Sequence, residues 1–499
     1  MELDLLRSKT IENLHTIMAA RPNLLLLLAF LFIVLIKSFI SMQFQSPWLF
    51  MDETIYAKMA ESPFNSNYIS APILYSFFLS IAYLFSNDKF VIYHVMLLIT
   101  IIINSSILFP SYFIMKRYCS QDYAIIGSIA IAALPRLVLY EFSLMCENLL
   151  LPLFIFSICL LLEARRTKSM LWISVAVLSV ILLFFTKHSG LAMLFGLAAS
   201  VIFELKYDQI CPIIKKLILS RHRLFIVILL AIASLICYKV AINNPTIWGY
   251  LGYERYMLDV YLNNLVDIFL NRTSLNEFVN ILLHELEYLM ISSYFVIFLM
   301  VAIFLAYMLN LTRSFSLNVI DYENLADLRR DRSLRFSLIY FLFSGIAMVI
   351  PVVISMYQLM KELPAGYSLL YLCNRDDFLI MGRYIDPLVP ALFLFGLIGL
   401  YRLSGQKKEG RFRVISALAV IYLAICVLFA LSFPYEGGKD ILPIMYLKNL
   451  ASLLPTWAIA AAIMPIFFVG LYSSLYNRKC SFLFLFVIII FSLIISANT

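Results

Sequence analysis

Long apolar runs separated by short charged loops leave this chain few ways to fold. The runs are about Leu24–Met42, Phe90–Met115, Tyr123–Tyr140, Leu149–Leu162, Leu171–Phe185, Leu191–Phe203 and Leu224–Ala241. They continue with Leu289–Leu311, Phe336–Met356, Leu388–Leu403, Val414–Ser432, Trp457–Leu475 and Phe482–Ser496. A membrane-spanning helix needs about 20 mostly apolar residues. Lipid offers the backbone no hydrogen bonds, so such runs must be helical to satisfy themselves. Of the 499 residues, 63% are apolar and only 14% charged, with a mean hydropathy of +0.92. Soluble domains carry about 45–50% and about 25%. A soluble enzyme, a disordered chain and a fibrous protein are therefore excluded. The expected fold class is an all-α polytopic membrane protein with about 13 transmembrane helices. No Pro/Gly/Ser-rich linker and no repeat of 20–50 residues divides it, so residues 1–499 read as one domain. The polar segment Met1–Asn23 leads into the first run without a small-residue cleavage site, which predicts a retained first helix.

A fourteenth stretch, Ala71–Phe85, is short and aromatic-rich. It either spans or lies in the interface. The basic residues decide, because internal loops collect Lys and Arg. If Ala71–Phe85 does not cross, the internal segments hold 25 basic and 12 acidic residues, and the rest of the chain holds 13 and 18. The inside is then +13 and the outside −5, which together give the net charge of +8. If it crosses, every later basic cluster faces out. The reading is thirteen spans, with the N-terminus cytoplasmic and the C-terminus outside, in a multi-pass protein of the cell membrane. The positive net charge records orientation, so no nucleic-acid partner is expected; the partner surface is the bilayer.

The outer loops carry most of the chemistry-bearing residues. The first contains Pro47-Trp48-Leu49-Phe50-Met51-Asp52-Glu53-Thr54-Ile55-Tyr56-Ala57. Adjacent carboxylates near lipid are costly unless solvated or used. Two readings stand: Asp52 caps a helix with Glu53 complementing its dipole, or the pair supplies a base at the membrane surface. The eight cysteines, Cys119, Cys146, Cys159, Cys211, Cys237, Cys373, Cys426 and Cys480, form no CxxC pair. They read as small core residues rather than metal or disulfide ligands.

The segment Asp52-Glu53-Thr54-Ile55-Tyr56-Ala57 resembles the start of the first outer loop in the GT-C superfamily of polyprenyl-phosphate-sugar-dependent glycosyltransferases. Protein O-mannosyltransferases and aminoarabinose transferases are the most similar families. Ser70-Ala71-Pro72-Ile73-Leu74-Tyr75 is similar to the entry of their interfacial helix, although the usual double proline and nearby Lys are missing. Three further segments look like the family: Pro135-Arg136 with Glu141 to Leu149, Phe184 to Gly190, and Gly382-Arg383-Tyr384-Ile385-Asp386-Pro387. The resemblance implies a GT-C fold with interfacial helices in the first outer loop, a catalytic core over about 43–403, and additional spans over 414–496. It also implies a membrane glycosyltransferase, a hexosyl- or pentosyltransferase, working on the outer face with inversion. The implied partners are a polyprenyl-phosphate-linked sugar donor and an acceptor protein, glycolipid or glycan.

Such a reaction needs a base for the acceptor hydroxyl and cations for the departing phosphate. Asp52 is the candidate base, and Glu53 holds acceptor or sugar. Tyr56 and Tyr384 accompany these motifs as substrate contacts. Glu147 completes an acidic pair from another loop, with or without a divalent metal; no metal ligand and no other cofactor is assigned. Arg383 is the first candidate for the phosphate because its guanidinium offers a bidentate fork. Its structural alternative is a side chain anchored at the lipid headgroups. Arg375, in Asn374-Arg375-Asp376-Asp377, pairs locally or serves the phosphate. Lys187 and His188 form a third cationic pair, with Lys187 the cation; the alternative is a snorkelling Lys beside a satisfied His. Arg136 offers itself to Glu141 or Glu147.

The long outer loop Asn243–Glu287 is rich in Trp and Tyr, which fits an interfacial belt or a sugar platform. Asn271-Arg272-Thr273 is an N-glycosylation sequon. Inner segments, including the charge-alternating Asp321–Arg335, show no Walker, GxGxxG or HExxH motif. The rival class is a secondary transporter or lipid flippase with 12–14 spans. Transporters tend to show paired halves and charges deep in mid-span, whereas here most charges sit at span ends.

Overall fold

The computed structural model describes residues 21–43, 51–63, 73–134, 140–204, scattered positions within 263–282, residues 332–362 and 386–403, and Phe484, Leu485 and Ile489. Among these residues every regular element is helical. In chain order they are α1 (Pro22–Ser41), α2 (Met51–Glu61), α3 (Ile73–Leu79) continued by a 3₁₀ turn (Ser80–Leu84), α4 (Lys89–Ser105) and α5 (Leu108–Met115). Then follow α6 (Gln121–Ala132), α7 (Glu147–Thr167), α8 (Met170–Thr186), α9 (Gly190–Glu204), α10 (Arg332–Glu362) and α11 (Leu388–Leu403). Four stretches are long and apolar enough to cross a bilayer: Pro22–Ser41, Lys89–Met115, Glu147–Thr167 and Phe336–Ile354. The protein is thus an all-helical membrane protein over its described part.

The expected spans Leu224–Ala241, Leu289–Leu311, Val414–Ser432 and Trp457–Leu475 lie outside the described residues, as does nearly all of Phe482–Ser496. Phe90–Met115, read as one run, is two helices joined at Ser106-Ile107. Pro110 accounts for the break. It has no N–H to continue the ladder and is accommodated in the first turn of α5. The stretch Ala71–Phe85 yields only the twelve helical residues of Ile73–Leu84. At about 1.5 Å per α-helical and about 2.0 Å per 3₁₀ residue they cover about 20 Å, short of the roughly 30 Å hydrocarbon core.

α7 is the hub of the bundle, touching α4, α5, α8 and α10. It ends at Lys168, whose left-handed backbone (φ 51°) turns the chain within two residues into α8. α7 and α8 therefore form an antiparallel hairpin, and the N-terminus of one lies beside the C-terminus of the other. α9 packs along α10. At Gly196 an added Cβ would meet the Ser344 side chain and the Tyr340 carbonyl of α10, so that contact needs a residue without a side chain.

The main core joins α5, α6, α7, α8, α9, α10 and α11, with Leu26 of α1. An aromatic chain runs through it: Phe154 of α7 against Tyr340 and Phe341 of α10, with ring centroids 5.9 and 6.4 Å apart, and Phe341 against Phe395 of α11 at 5.6 Å. A second cluster joins α2, α3 and α4 to Leu144, Cys146 and Leu149. It holds the α2 acids against residues 140–148, the connection that enters α7.

Candidate functional site

The acids Asp52 and Glu53 occupy the first turn of α2, where the helix dipole favours negative charge. Glu53 is 1% exposed, and its Oε1 accepts a hydrogen bond from the Leu144 backbone N–H at 2.7 Å. Asp52 is half-buried. One turn further on, Tyr56 shares the buried face of α2 and donates its hydroxyl to the Cys146 Sγ at 3.0 Å. Burial, followed by the neighbouring Cys146, Glu147 and Asp52, pushes the Tyr56 phenol well above its ordinary value. It therefore stays protonated and acts as a donor.

Glu147 opens α7 and is fully buried. Its Oε2 receives the Cys146 thiol at 3.4 Å, and its Oε1 accepts from Lys187 Nζ at 2.5 Å. Lys187 follows α8 in extended backbone and is 4% exposed. The hairpin explains the pairing: α7 runs away from Glu147 for 21 residues and α8 returns for 17, so residues 40 apart meet. A continuous polar chain thus runs from α2 through Tyr56, Cys146 and Glu147 to Lys187.

The connection 140–148 is stapled by Asn148. Its amide nitrogen donates to the carbonyls of Tyr140, Ser143 and Met145 at 2.7, 3.0 and 3.0 Å, while its oxygen accepts from Asn104 of α4 at 2.8 Å. Tyr140 donates to the buried Asp386, just ahead of α11. Glu141 pairs with Lys37 of α1, both fully buried. The opposite end of α7 carries a second group of charges, where Glu163 pairs with Arg117 and, at 2.7 Å, with Arg166.

Of the residues singled out in the sequence, Asp52, Glu53, Tyr56, Glu147 and Lys187 come together. His188 is half-buried in the turn after Lys187. Arg375, Arg383 and Tyr384 lie outside the described residues, as does Arg136. One expectation is corrected. Glu141 pairs with Lys37 and Glu147 with Lys187; the pairing expected of Arg136 lies outside the described residues. Lys187 does not snorkel; a buried carboxylate meets its charge, because the hairpin turns it inward. Sequence reasoning passed over Cys146 as a small core residue and did not single out Lys37, Tyr140, Asn148 or Asp386. Lys37 had a usable signal, since an ammonium within an apolar run is costly unless paired. Among the described residues no group of three or more His, Cys, Asp or Glu side chains is placed to hold a metal ion.

No family model matches this chain, and no curated protein and no solved structure matches it.

Proposed function

We propose that this protein is an integral membrane glycosyltransferase that moves a sugar from a polyprenyl-phosphate carrier to a hydroxyl acceptor on the outer face, with inversion. One observation carries the reading: of the Asp52-Glu53 pair opening α2, Glu53 is held by the Leu144 amide, three residues from Glu147 and its buried partner Lys187. Three segments distant in sequence thereby set carboxylates of different exposure at one end of the bundle. In this reading the acceptor oxygen attacks the anomeric carbon while the bond from that carbon to the phosphate oxygen breaks. The leaving phosphate keeps the electron pair, and Asp52, the half-buried acid, takes the hydroxyl proton. Glu53, fixed by its backbone partner, aligns acceptor or sugar. Lys187 pairs with Glu147 in a buried setting and so sets the position of its carboxylate. The developing phosphate charge then falls to Arg383 and Arg375. The acceptor is a protein, a glycolipid or a glycan.

Membranes containing the protein, given a labelled polyprenyl-phosphate sugar, test the reading. Asp52→Asn should lower transfer by about 10²–10⁴-fold, the usual contribution of a general base. Full transfer in that variant would remove Asp52 as the base. A second reading, a secondary transporter or lipid flippase, draws on the Lys37–Glu141 pair buried beside the first span. It predicts movement of labelled lipid across vesicles with no new glycosidic bond.

A further inference from the structure

α1 faces outward along most of its length. Leu24, Leu27, Leu28, Leu31, Phe32, Leu35 and Phe39 are all exposed, and only Leu26, Lys37 and Ser41 are buried. The helix therefore grips the rest of the protein at few points, and near its C-terminal end the grip is polar. An ammonium has three hydrogens to donate. Lys37 Nζ has three acceptors: Ser105 Oγ at the end of α4 (3.3 Å), the Ala132 carbonyl at the end of α6 (3.2 Å) and Glu141 Oε1. The Ala132 carbonyl closes α6, where the helix dipole is negative and favours a cation. Two helix ends and one carboxylate thus make a site that fits an ammonium and no neutral side chain of similar length.

The carboxylate in this site belongs to the connection that carries the candidate active site. Leu144, whose N–H holds Glu53, is three residues from Glu141, and Cys146 and Glu147 follow. From these contacts we infer that Lys37 and Glu141 are positioning residues: their buried pair fixes residues 140–148 so that the Leu144 amide, Cys146 and Glu147 face α2. The inference rests on the glycosyltransferase reading for its catalytic consequence, but its geometric content stands apart from that reading. With the pair broken, Glu141 is left buried without its counter-ion and the connection must move to hydrate it. The first reporter of that movement is the Cys146 thiol, 1% exposed and enclosed by Tyr56 and Glu147.

The experiment uses the full-length protein in membranes, treated with a small membrane-permeant maleimide, with modification of Cys146 quantified by peptide mass spectrometry. Lys37→Met and the near-isosteric Glu141→Gln should each raise Cys146 labelling at least about 10-fold. Asp52→Asn, which leaves the connection intact, should label as the parent does. In the transfer assay both positioning variants should lower kcat about 10- to 100-fold with little change in donor KM. The double variant should be no worse than the single ones, since one interaction is lost once. Unchanged labelling and unchanged kcat in either single variant would overturn the inference. Failure of both variants to accumulate would also overturn it, in favour of a role in folding alone. If the parent transfers no sugar, the glycosyltransferase reading fails, and the labelling still decides whether Lys37 and Glu141 position the connection.

Discussion

At the scale of single residues, the Glu147–Lys187 pair is the strongest constraint at the site. Both side chains are buried, at 1% and 4% exposure, so water does little to screen them. Removing one partner of such a pair leaves an uncompensated charge and typically costs about 3–5 kcal/mol, whereas removing both together costs far less. Lys187→Met should therefore be severely destabilising, and Glu147→Gln combined with Lys187→Met should recover most of the loss. Thermal unfolding of the four proteins in detergent measures the coupling; additive effects would show that the two charges do not depend on each other. Asp52, Glu53, Glu147 and Lys187 stand out in the sequence through the short motifs that resemble the glycosyltransferase family and through their place at the ends of apolar runs. Their pairing does not. Which lysine meets Glu147 depends on the return path of α8 and not on spacing in the chain. Cys146 and Asn148 were missed for a different reason. A thiol or an amide at the head of a helix is common in any core, and only the three carbonyls gathered around Asn148 reveal its role.

At the scale of elements, the apolar runs of the described part correspond to helices, but a run does not by itself show where one helix ends and the next begins. The break at Ser106-Ile107 follows the polar Asn104-Ser105-Ser106 and lies just ahead of Pro110, whose missing N–H divides α4 from α5. Glycine is equally specific to its contact. At Gly196 a methyl group would collide with the Tyr340 carbonyl and the Ser344 side chain, where backbone cannot yield cheaply. At Gly127 it would meet the terminal methyl and sulfur of Met115, the movable end of a flexible side chain. Gly196→Ala should therefore separate α9 from α10 and cost about 1–3 kcal/mol, the usual penalty for overpacking. Gly127→Ala should cost less. Apparent Tm values in detergent order the two, and equal shifts would show that the α9–α10 approach adjusts freely.

Over the whole molecule, the two ends of α7 carry different charge groups. Asp52, Glu53, Glu141 and Glu147 gather with Lys37 and Lys187 at the end where α7 begins, and Arg117, Glu163 and Arg166 at the end where it finishes. Lys116, Arg117 and the Arg165–Lys168 cluster are the basic residues that the positive-inside reading of the sequence assigns to the internal side. The orientation turns on Ala71–Phe85, because one additional crossing there would invert every later loop. The exposed Asn271 of Asn271-Arg272-Thr273 reports which case holds. When the chain is inserted into glycosylation-competent microsomes, thirteen spans with an internal N-terminus place Asn271 in the lumen, where it can receive a glycan. The expected result is a slower-migrating form that collapses on endoglycosidase treatment and is absent in Asn271→Gln. With Ala71–Phe85 crossing, the same asparagine faces the cytosol and stays unmodified. The candidate acids of α2 precede that stretch and keep their side, while Glu147 and Lys187 follow it. An unmodified Asn271 would put the two halves of the polar chain on opposite faces of the bilayer. That outcome is incompatible with Tyr56 and Cys146 in hydrogen-bond contact, so the glycan assay tests the site and the topology together.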